Sequence, residues 1–394
     1  MAPQENPAPS PSSAVWSRFR AIEAEMGLTF VERAEPIRGL LAGLLAGQHV
    51  VLLGPPGTGK SAMAGDLCGR IGGRYFSWLL TSFSAPEELF GPYSLKALEQ
   101  DRYERIPAGK LPEADVAFLD ETFKANSAIL NAMLGVLNEG VFHNNGGPVR
   151  IPLLMAIGAS NELPEDREAL GALWDRFSLR YVVDYIRDPQ AFEAMMTGAR
   201  APARRTEITV DDVRAARAEV AAVRLNGALS AMIDLRAKLR DLQIPASDRR
   251  WKAMIPLLKA NAWLDGRDVA GEDDVAILAH ALWQEPSQIV QVRQLVLSVA
   301  NPLLQRATDL LDQGREVHGA AMAAWAKAQQ DEGVNSSAAA LEATKKLRNI
   351  ARELEQVRED CAARNRDATR IEQALAAVMG MNQEVLTLCL GLGR

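Results

Sequence analysis

The 394-residue chain carries 44 Lys and Arg against 50 Asp and Glu, a net charge of −6, with 48% hydrophobic and only 6% aromatic residues. That acidic balance argues against a protein that coats nucleic acid, and no run approaches the roughly 18 apolar residues of a membrane-spanning helix. Cys68, Cys361 and Cys389 are scattered without metal-ligand spacing, so reduced thiols in a cytoplasmic protein are expected.

The chain opens with MAPQENPAPSPSS, which has neither the basic start nor the apolar stretch of a secretory signal. Residues 1–13 are expected to be a disordered tail, and residues 14–26 a short helix. From there apolar runs of strand length alternate with helical periods: HVVLL (49–53), YFSWLL (75–80), VAFLD (116–120), LLMAIGAS (153–160) and LRYVVDY (179–185). Runs that are apolar at successive positions are buried on both faces, which predicts a parallel sheet covered by helices. After a connection at 188–208 the pattern is helical to about residue 283, opening at TVDDVRAARAEV with Thr209 as N-cap. EPSQIVQVRQLVLSVANPLLQRATDLLDQ then starts a long helix with a kink expected at Pro302. A break at DEGVNSS (331–337) precedes a second helix. Leu347, Ile350, Leu354, Val357, Cys361, Arg364, Ala368, Ile371, Leu375 and Val378 give it a 3-4 seam, so the tail reads as an antiparallel helical hairpin.

The chemistry begins at GPPGTGKS, residues 54–61, which matches G-x-x-x-x-G-K-[ST] with a strand before it and a helix after it. Gly57 and Gly59 let successive backbone N–H groups turn inward as an anion nest, reinforced by the amino-terminal partial charge of the helix. Lys60 supplies a point charge for β- and γ-phosphates, and Ser61 a hydroxyl for Mg²⁺. Gly54, Pro55, Pro56, Gly57, Thr58, Gly59, Lys60, Ser61 and Ala62 are therefore the expected triphosphate cradle. VAFLDE (116–121) ends a strand in two acids. Asp120 would enter the Mg²⁺ shell, and Glu121 would orient and deprotonate an attacking water. By itself that pair is equally a solvated strand end; next to the glycine loop it becomes a functional assignment. Asn161 ends the following strand, where it either positions the water or caps a turn. His49, His143, His280 and His318 form no ligand set in the sequence, and Trp174, Trp251, Trp263 and Trp283 are expected to pack domain contacts.

LLGPPGTGKS, FSAPEELFGPYSLKAL, YERIPAGKLPEADVAFLDE, ILNAMLGVLNEGVF, ASNELPE, LWDRFSLR and SDRRWKAMIPLLKANAWLDGRD, between residues 50 and 268, resemble the MoxR family of AAA+ ATPases, nearest its RavA-type subgroup. The resemblance implies an α/β P-loop AAA+ core at 14–190, a parallel five-stranded sheet between helices, an all-α lid at 205–284, and the C-terminal α-helical hairpin at 285–394. It implies a cytoplasmic homo-oligomeric ring, usually a hexamer, that hydrolyses ATP with Mg²⁺ between neighbouring subunits and remodels a partner protein, often with a von Willebrand factor A-domain protein. Lys60 and Ser61 match the phosphate-loop positions, Asp120 and Glu121 the metal and water positions, and Asn161 the first sensor. Arg176 matches an arginine finger reaching the neighbour's nucleotide, and Arg249 the second sensor, with Arg250 adjacent as the other choice. Segment 82–115 would hold an insertion within the second helix, and 141–152 a hairpin; such loops face the ring's pore. The seven-residue tail break leaves no room for the β-rich module of RavA-type proteins. The alternative function is a nucleotide-switched DNA-acting AAA+ motor or regulator; no DNA-binding module is visible, and nucleic acid is not the expected partner.

Overall fold

The computed structural model describes residues 13–163, 167–198, 205–330, 337–363 and 368–389. The expected disordered tail up to residue 12, the break at 331–336 and Arg364 lie outside the described residues. The chain forms two compact units, Met1–Arg293 and Gln294–Arg394.

Among the described residues up to 200, the first unit carries seven strands: β1 His49–Leu53, β2 Tyr75–Leu79, β3 Val116–Asp120, β4 Val141–Asn144, β5 Gly147–Arg150, β6 Met155–Ser160 and β7 Phe177–Val182. Five of them form one parallel sheet in the order β2-β3-β6-β1-β7. All five expected strands are present, with ends moved by a few residues. The reason for their continuous apolar runs is visible in the burial: every residue of β6 is buried, as are Val50 to Leu53 of β1 and Val116 to Leu119 of β3. The edge strand β2 buries Phe76 between exposed Tyr75 and Ser77, the alternation of a half-covered strand. The helix Ala34–Ala46 carries charge only at Glu35 and Arg38 near its start, and Ile37, Leu40, Leu41 and Leu44 are fully enclosed between the sheet and its neighbours.

The expected hairpin is β4–β5. Its Asn145-Gly146 turn has φ of 49° and 77°, the left-handed pair that matches strand twist in a two-residue connection. Segment 82–115 contains the short helices Pro86–Phe90 and Leu95–Leu98. Asn144 ties it to the hairpin, accepting from Arg105 N at 2.7 Å and donating to Arg105 O at 3.1 Å. Phe83, Leu95, Tyr103 and Ile106 stay exposed on this segment.

Thr209 caps the helix Val210–Ala222 in a reciprocal capping box with Asp212, as its sequence predicts. Arg217 on that helix donates to Leu44 O and Leu154 O at 2.7 Å each and so holds it to the core. Helices Ala228–Asp241 and Asp248–Leu264 follow, with a 3-10 helix, Glu272–His280. The helical pattern is interrupted by a two-residue parallel pairing of Arg224–Leu225 with Val269–Ala270. Asp274, wholly buried, accepts from Arg267 at 2.7 and 2.8 Å, from Asn261 Nδ2 at 2.8 Å and from Gly271 N at 2.8 Å. The tryptophans pack as expected, Trp263 edge-on to Phe19 at 5.5 Å and Trp174 against Trp283 at 5.8 Å.

In the second unit Pro302 starts the helix Pro302–Gln330, and Asn301 Oδ1 accepts from Leu304 N at 3.0 Å as its N-cap. The expected kink is thus a full break, because proline at a first turn has no N–H to lose. The helices Pro302–Gln330 and Ser337–Ala363 pair, and a third, Thr369–Glu384, joins them before a π turn, Val385–Cys389. The seam is continuous in sequence but divided between two helices: Leu347 and Leu354 on one and Ile371 and Val378 on the other meet in one apolar core. Cys68 and Cys361 are buried, and Cys389 is half-buried.

Candidate functional site

Residues 54–59 leave β1 at its carboxyl end, the usual site-bearing edge of a parallel sheet. Gly54 has φ 146° and lies so close to β7's extension that a Cβ would meet Val183 O at 2.0 Å, so only glycine fits. Gly57 and Gly59 have φ of 79° and 87°, and Gly59 is the N-cap of the helix Lys60–Arg70. Left-handed residues alternating with ordinary ones turn backbone N–H groups to one side, where the helix adds its partial positive charge. Thr58 Oγ1 donates to Pro55 O at 3.0 Å and holds the loop closed.

Lys60 is 6% exposed, and its ammonium donates to Gly54 O at 2.6 Å, Pro55 O at 2.9 Å and Asn161 Oδ1 at 3.0 Å. Burial lowers its pKa, against the nearby Asp120 and Glu121 carboxylates. Asn161, at the end of β6, donates through Nδ2 to Glu121 Oε1. Glu121 follows β3 in a left-handed conformation, φ 49° and ψ 44°, which costs on the order of 1–3 kcal/mol for a residue with a Cβ. Its other oxygen, Oε2, is buried without a hydrogen-bond partner and lies 3.4 Å from Lys124 Nζ. Asp120 accepts from Glu121 N at 3.0 Å through Oδ1 and faces Ser61 Oγ at 3.5 Å through Oδ2. Side chains from three separate segments are thereby joined into one chain of contacts. Two hard oxygen donors beside an anion loop suit Mg²⁺, which takes few protein ligands and fills its shell with phosphate and water. Ser61 and Asp120 are the residues fit to hold it.

A cavity of about 450 Å³ adjoins Gly57–Gly59, walled by Phe30, Val31, Tyr185, Ile186, Phe192 and Met195. An apolar chamber beside a phosphate loop is shaped for the flat base of a nucleotide. Its walls are pinned together: buried Arg33 donates to Asp184 O, and Glu32 accepts from Arg187 N at 3.0 Å and Asp188 N at 2.7 Å. The sequence did not disclose this chamber. Its only trace was apolar residues in LTFVER and YIRDPQAFEAMM lying outside any periodic run.

Arg176 is partly buried, with Nε enclosed and without a hydrogen-bond partner. Burial lowers its pKa, helped by the like charge of Arg249 and opposed by Asp175. Arg249 is exposed. Among the described residues neither has a hydrogen bond or ion pair to Lys60, Asp120, Glu121 or Asn161. Arg250 has a different fate. It is 3% exposed and donates to Ala281 O and Phe177 O at 3.0 Å each and to Asp175 Oδ1 at 3.2 Å. A side chain so committed is not free to meet a phosphate, which leaves Arg249 as the candidate of the two.

His49, His280 and His318 have structural partners. His49 Nε2 donates to Leu137 O at 2.9 Å and Nδ1 accepts from Ala156 N at 3.1 Å, the pattern of a neutral ring. His280 stacks on Tyr181 at 4.4 Å, His143 is exposed on the hairpin, and His318 meets Glu384 at 3.0 Å.

A family model described as the MoxR domain of MoxR-vWA-beta-propeller ternary systems matches residues 17–222, and an AAA lid domain model matches 228–296. Two uncharacterized proteins of Methanocaldococcus jannaschii are similar: one 35% identical over 94% of this chain and 99% of its own length, the other 36% identical over 75% and 78%. Protein MoxR of Paracoccus denitrificans is 28% identical over 44% of this chain and 52% of that protein. Among solved structures, a proposed ATPase of Cytophaga hutchinsonii shares the fold with a TM-score of 0.57 at 17% identity, covering 72% of this chain and 94% of that one.

Proposed function

The chain belongs to the MoxR family of AAA+ ATPases, and from that premise we propose that it assembles into a ring and hydrolyses ATP between subunits to remodel or mature a partner protein. The observation that carries the reading is the contact chain Lys60–Asn161–Glu121–Asp120–Ser61 at the carboxyl ends of three adjacent strands. Lys60 exchanges the carbonyls of Gly54 and Pro55 for the β- and γ-phosphates. Asn161 then holds the attacking water beside Glu121, which takes its proton. Ser61 and Asp120 would hold Mg²⁺, which when bound would offset the negative charge of the phosphates. Arg176 supplies positive charge to the nucleotide of the neighbouring subunit, and Arg249, in the lid, adds positive charge from a second direction. That arrangement makes each site incomplete until a second copy arrives.

The partner is in keeping with a von Willebrand factor A-domain protein, a reading supported by the systems for which the matched family model is described. The exposed apolar residues of segment 82–115 supply a surface for a client chain. Placement nearest the RavA-type subgroup, the hexameric ring size and a cytoplasmic location rest on the sequence. Among the described residues no helix is long and apolar enough to cross a membrane.

ATP turnover measured against protein concentration tests the reading, with Arg176→Ala and Glu121→Gln beside the wild type. Specific activity should rise with concentration, and Arg176→Ala should lose turnover while still binding ATP. Turnover that is flat with concentration and indifferent to Arg176 would describe a solitary nucleotide switch.

A further inference from the structure

Two arginines in the first unit are buried far more deeply than a surface-acting cation needs. Arg180 on β7 is fully enclosed and Arg250 on the lid helix Asp248–Leu264 nearly so. Each is shared across the same seam. Arg250, from the lid side, donates to Asp175 Oδ1 at 3.2 Å and Phe177 O at 3.0 Å in the core, and to Ala281 O at 3.0 Å. Arg180, from the core side, donates to Trp174 O at 3.1 Å, and across the seam to Trp283 O and to Gln284 Oε1 at 3.2 Å. Its guanidinium also lies over the Trp174 ring, 4.2 Å from the centroid.

The core acceptors are concentrated in four residues, Trp174 to Phe177. Every residue of that segment is gripped except one. Arg176 has its neighbours on both sides held by Arg250, while its own Nε has no hydrogen-bond partner. Among the described residues Asp175, paired with Arg250, is the single carboxylate in an ion pair with either enclosed guanidinium. Burying them is therefore costly, and apolar side chains of similar volume would fill the seam at less cost. What the arginines give that apolar residues could not is a directional grip on backbone carbonyls.

We propose that Arg250, assisted by Arg180, is a positioning residue that couples the lid to Arg176, so that movement of the helix Asp248–Leu264 carries Arg176 with it. The inference rests on the reading above that Arg176 serves the neighbour's nucleotide, and it makes the lid of one subunit a control on the site of the next. Nucleotide held by one subunit would then set, through the two buried guanidiniums, how well the adjoining site is completed.

Subunit mixing tests this. Arg250→Gln keeps polarity but removes the fork, and Asp175→Asn loosens the same grip with almost no change of shape. Each should bind ATP as the wild type does, yet turn over about a hundredfold more slowly, the size expected when a reacting group is misplaced by an ångström. Glu121→Gln subunits are inactive but carry an intact Arg176. Mixed with either variant they should restore activity, because the variant's Glu121 then meets an intact Arg176 from its neighbour. Arg176→Ala mixed with Glu121→Gln is the reference. Recovery in the reference without recovery for Arg250→Gln or Asp175→Asn overturns the coupling. Turnover by both variants at the wild-type rate overturns it as well. No recovery in the reference removes the shared-site reading and the coupling with it. If Arg250→Gln does not fold, Asp175→Asn decides alone, with wild-type thermal unfolding as its control.

Discussion

Lowering the pH should strip a defined amount of stability from the sheet through a single ring, His49. Its two nitrogens are both used, one donating to Leu137 O and the other accepting from Ala156 N, so a second proton has nowhere to go without breaking the bond to β6. Burial pushes its pKa from 6.5 to about 4, with the hydrogen bond to Leu137 O opposing and the charges of Arg217 and Arg176 assisting. In the unfolded chain the ring protonates as pH falls through 6.5, whereas the folded ring stays neutral until about pH 4. The unfolded state therefore binds more protons throughout that window. Stability is fully present above it, falls as pH falls across it, and loses no more below it. At about 1.4 kcal/mol per pKa unit the loss is about 3 kcal/mol, a large share of a typical 5–15 kcal/mol. Urea unfolding of wild type and His49→Gln between pH 7.5 and 4 isolates the effect. The glutamine can still donate toward Leu137 O but abandons Ala156 N, so the variant starts about 1–3 kcal/mol lower and lacks the titration. Buried His280, with its pKa also lowered to about 4, titrates in both proteins and cancels in the difference. The gap between the two should shrink by about 3 kcal/mol. A gap unchanged with pH would refute the assignment of a neutral, doubly bonded ring.

Three further outcomes follow from the site. Asn161→Ala removes the link between Lys60 and Glu121, so turnover should fall about 10²–10³-fold while ATP still binds, as equilibrium binding beside steady-state kinetics would reveal. Lys60→Ala deletes the ammonium enclosed by the loop and should weaken ATP about 10–100-fold; isothermal titration giving unchanged affinity would contradict its role. Gly54→Ala drives a methyl into Val183 O and should cost about 3 kcal/mol or more in urea unfolding. A variant as stable as wild type would mean that β1 and β7 are not so tightly joined there.

The phosphate loop and the acidic strand end were legible because their determinants are local. Gly57, Gly59 and Lys60 act within a single turn, and Val116–Asp120 declares its burial by being apolar at successive positions. The apolar chamber was not legible, since Phe30, Ile186 and Phe192, far apart in sequence, meet beside the loop only in the folded chain. Arg249 and Arg250 could not be told apart in the sequence because they are adjacent and chemically identical. The phase of the helix beginning at Asp248 turns Arg250 toward Phe177 and Ala281 and leaves Arg249 outside. The tail seam showed its apolar period but not that its two halves belong to separate helices, Ser337–Ala363 and Thr369–Glu384, that share one core.

Glu121 carries a consequence for how this chain can change over generations. With φ at 49°, its position is one that glycine would occupy at lower energy than any residue bearing a Cβ. Glu121→Gly would therefore relax the backbone at this position while removing the carboxylate to which the proposed mechanism gives the activation of water. Random libraries sorted only for heat resistance or expression would enrich for disarmed descendants at this site. Those sorted for turnover would retain the glutamate and its contorted backbone together.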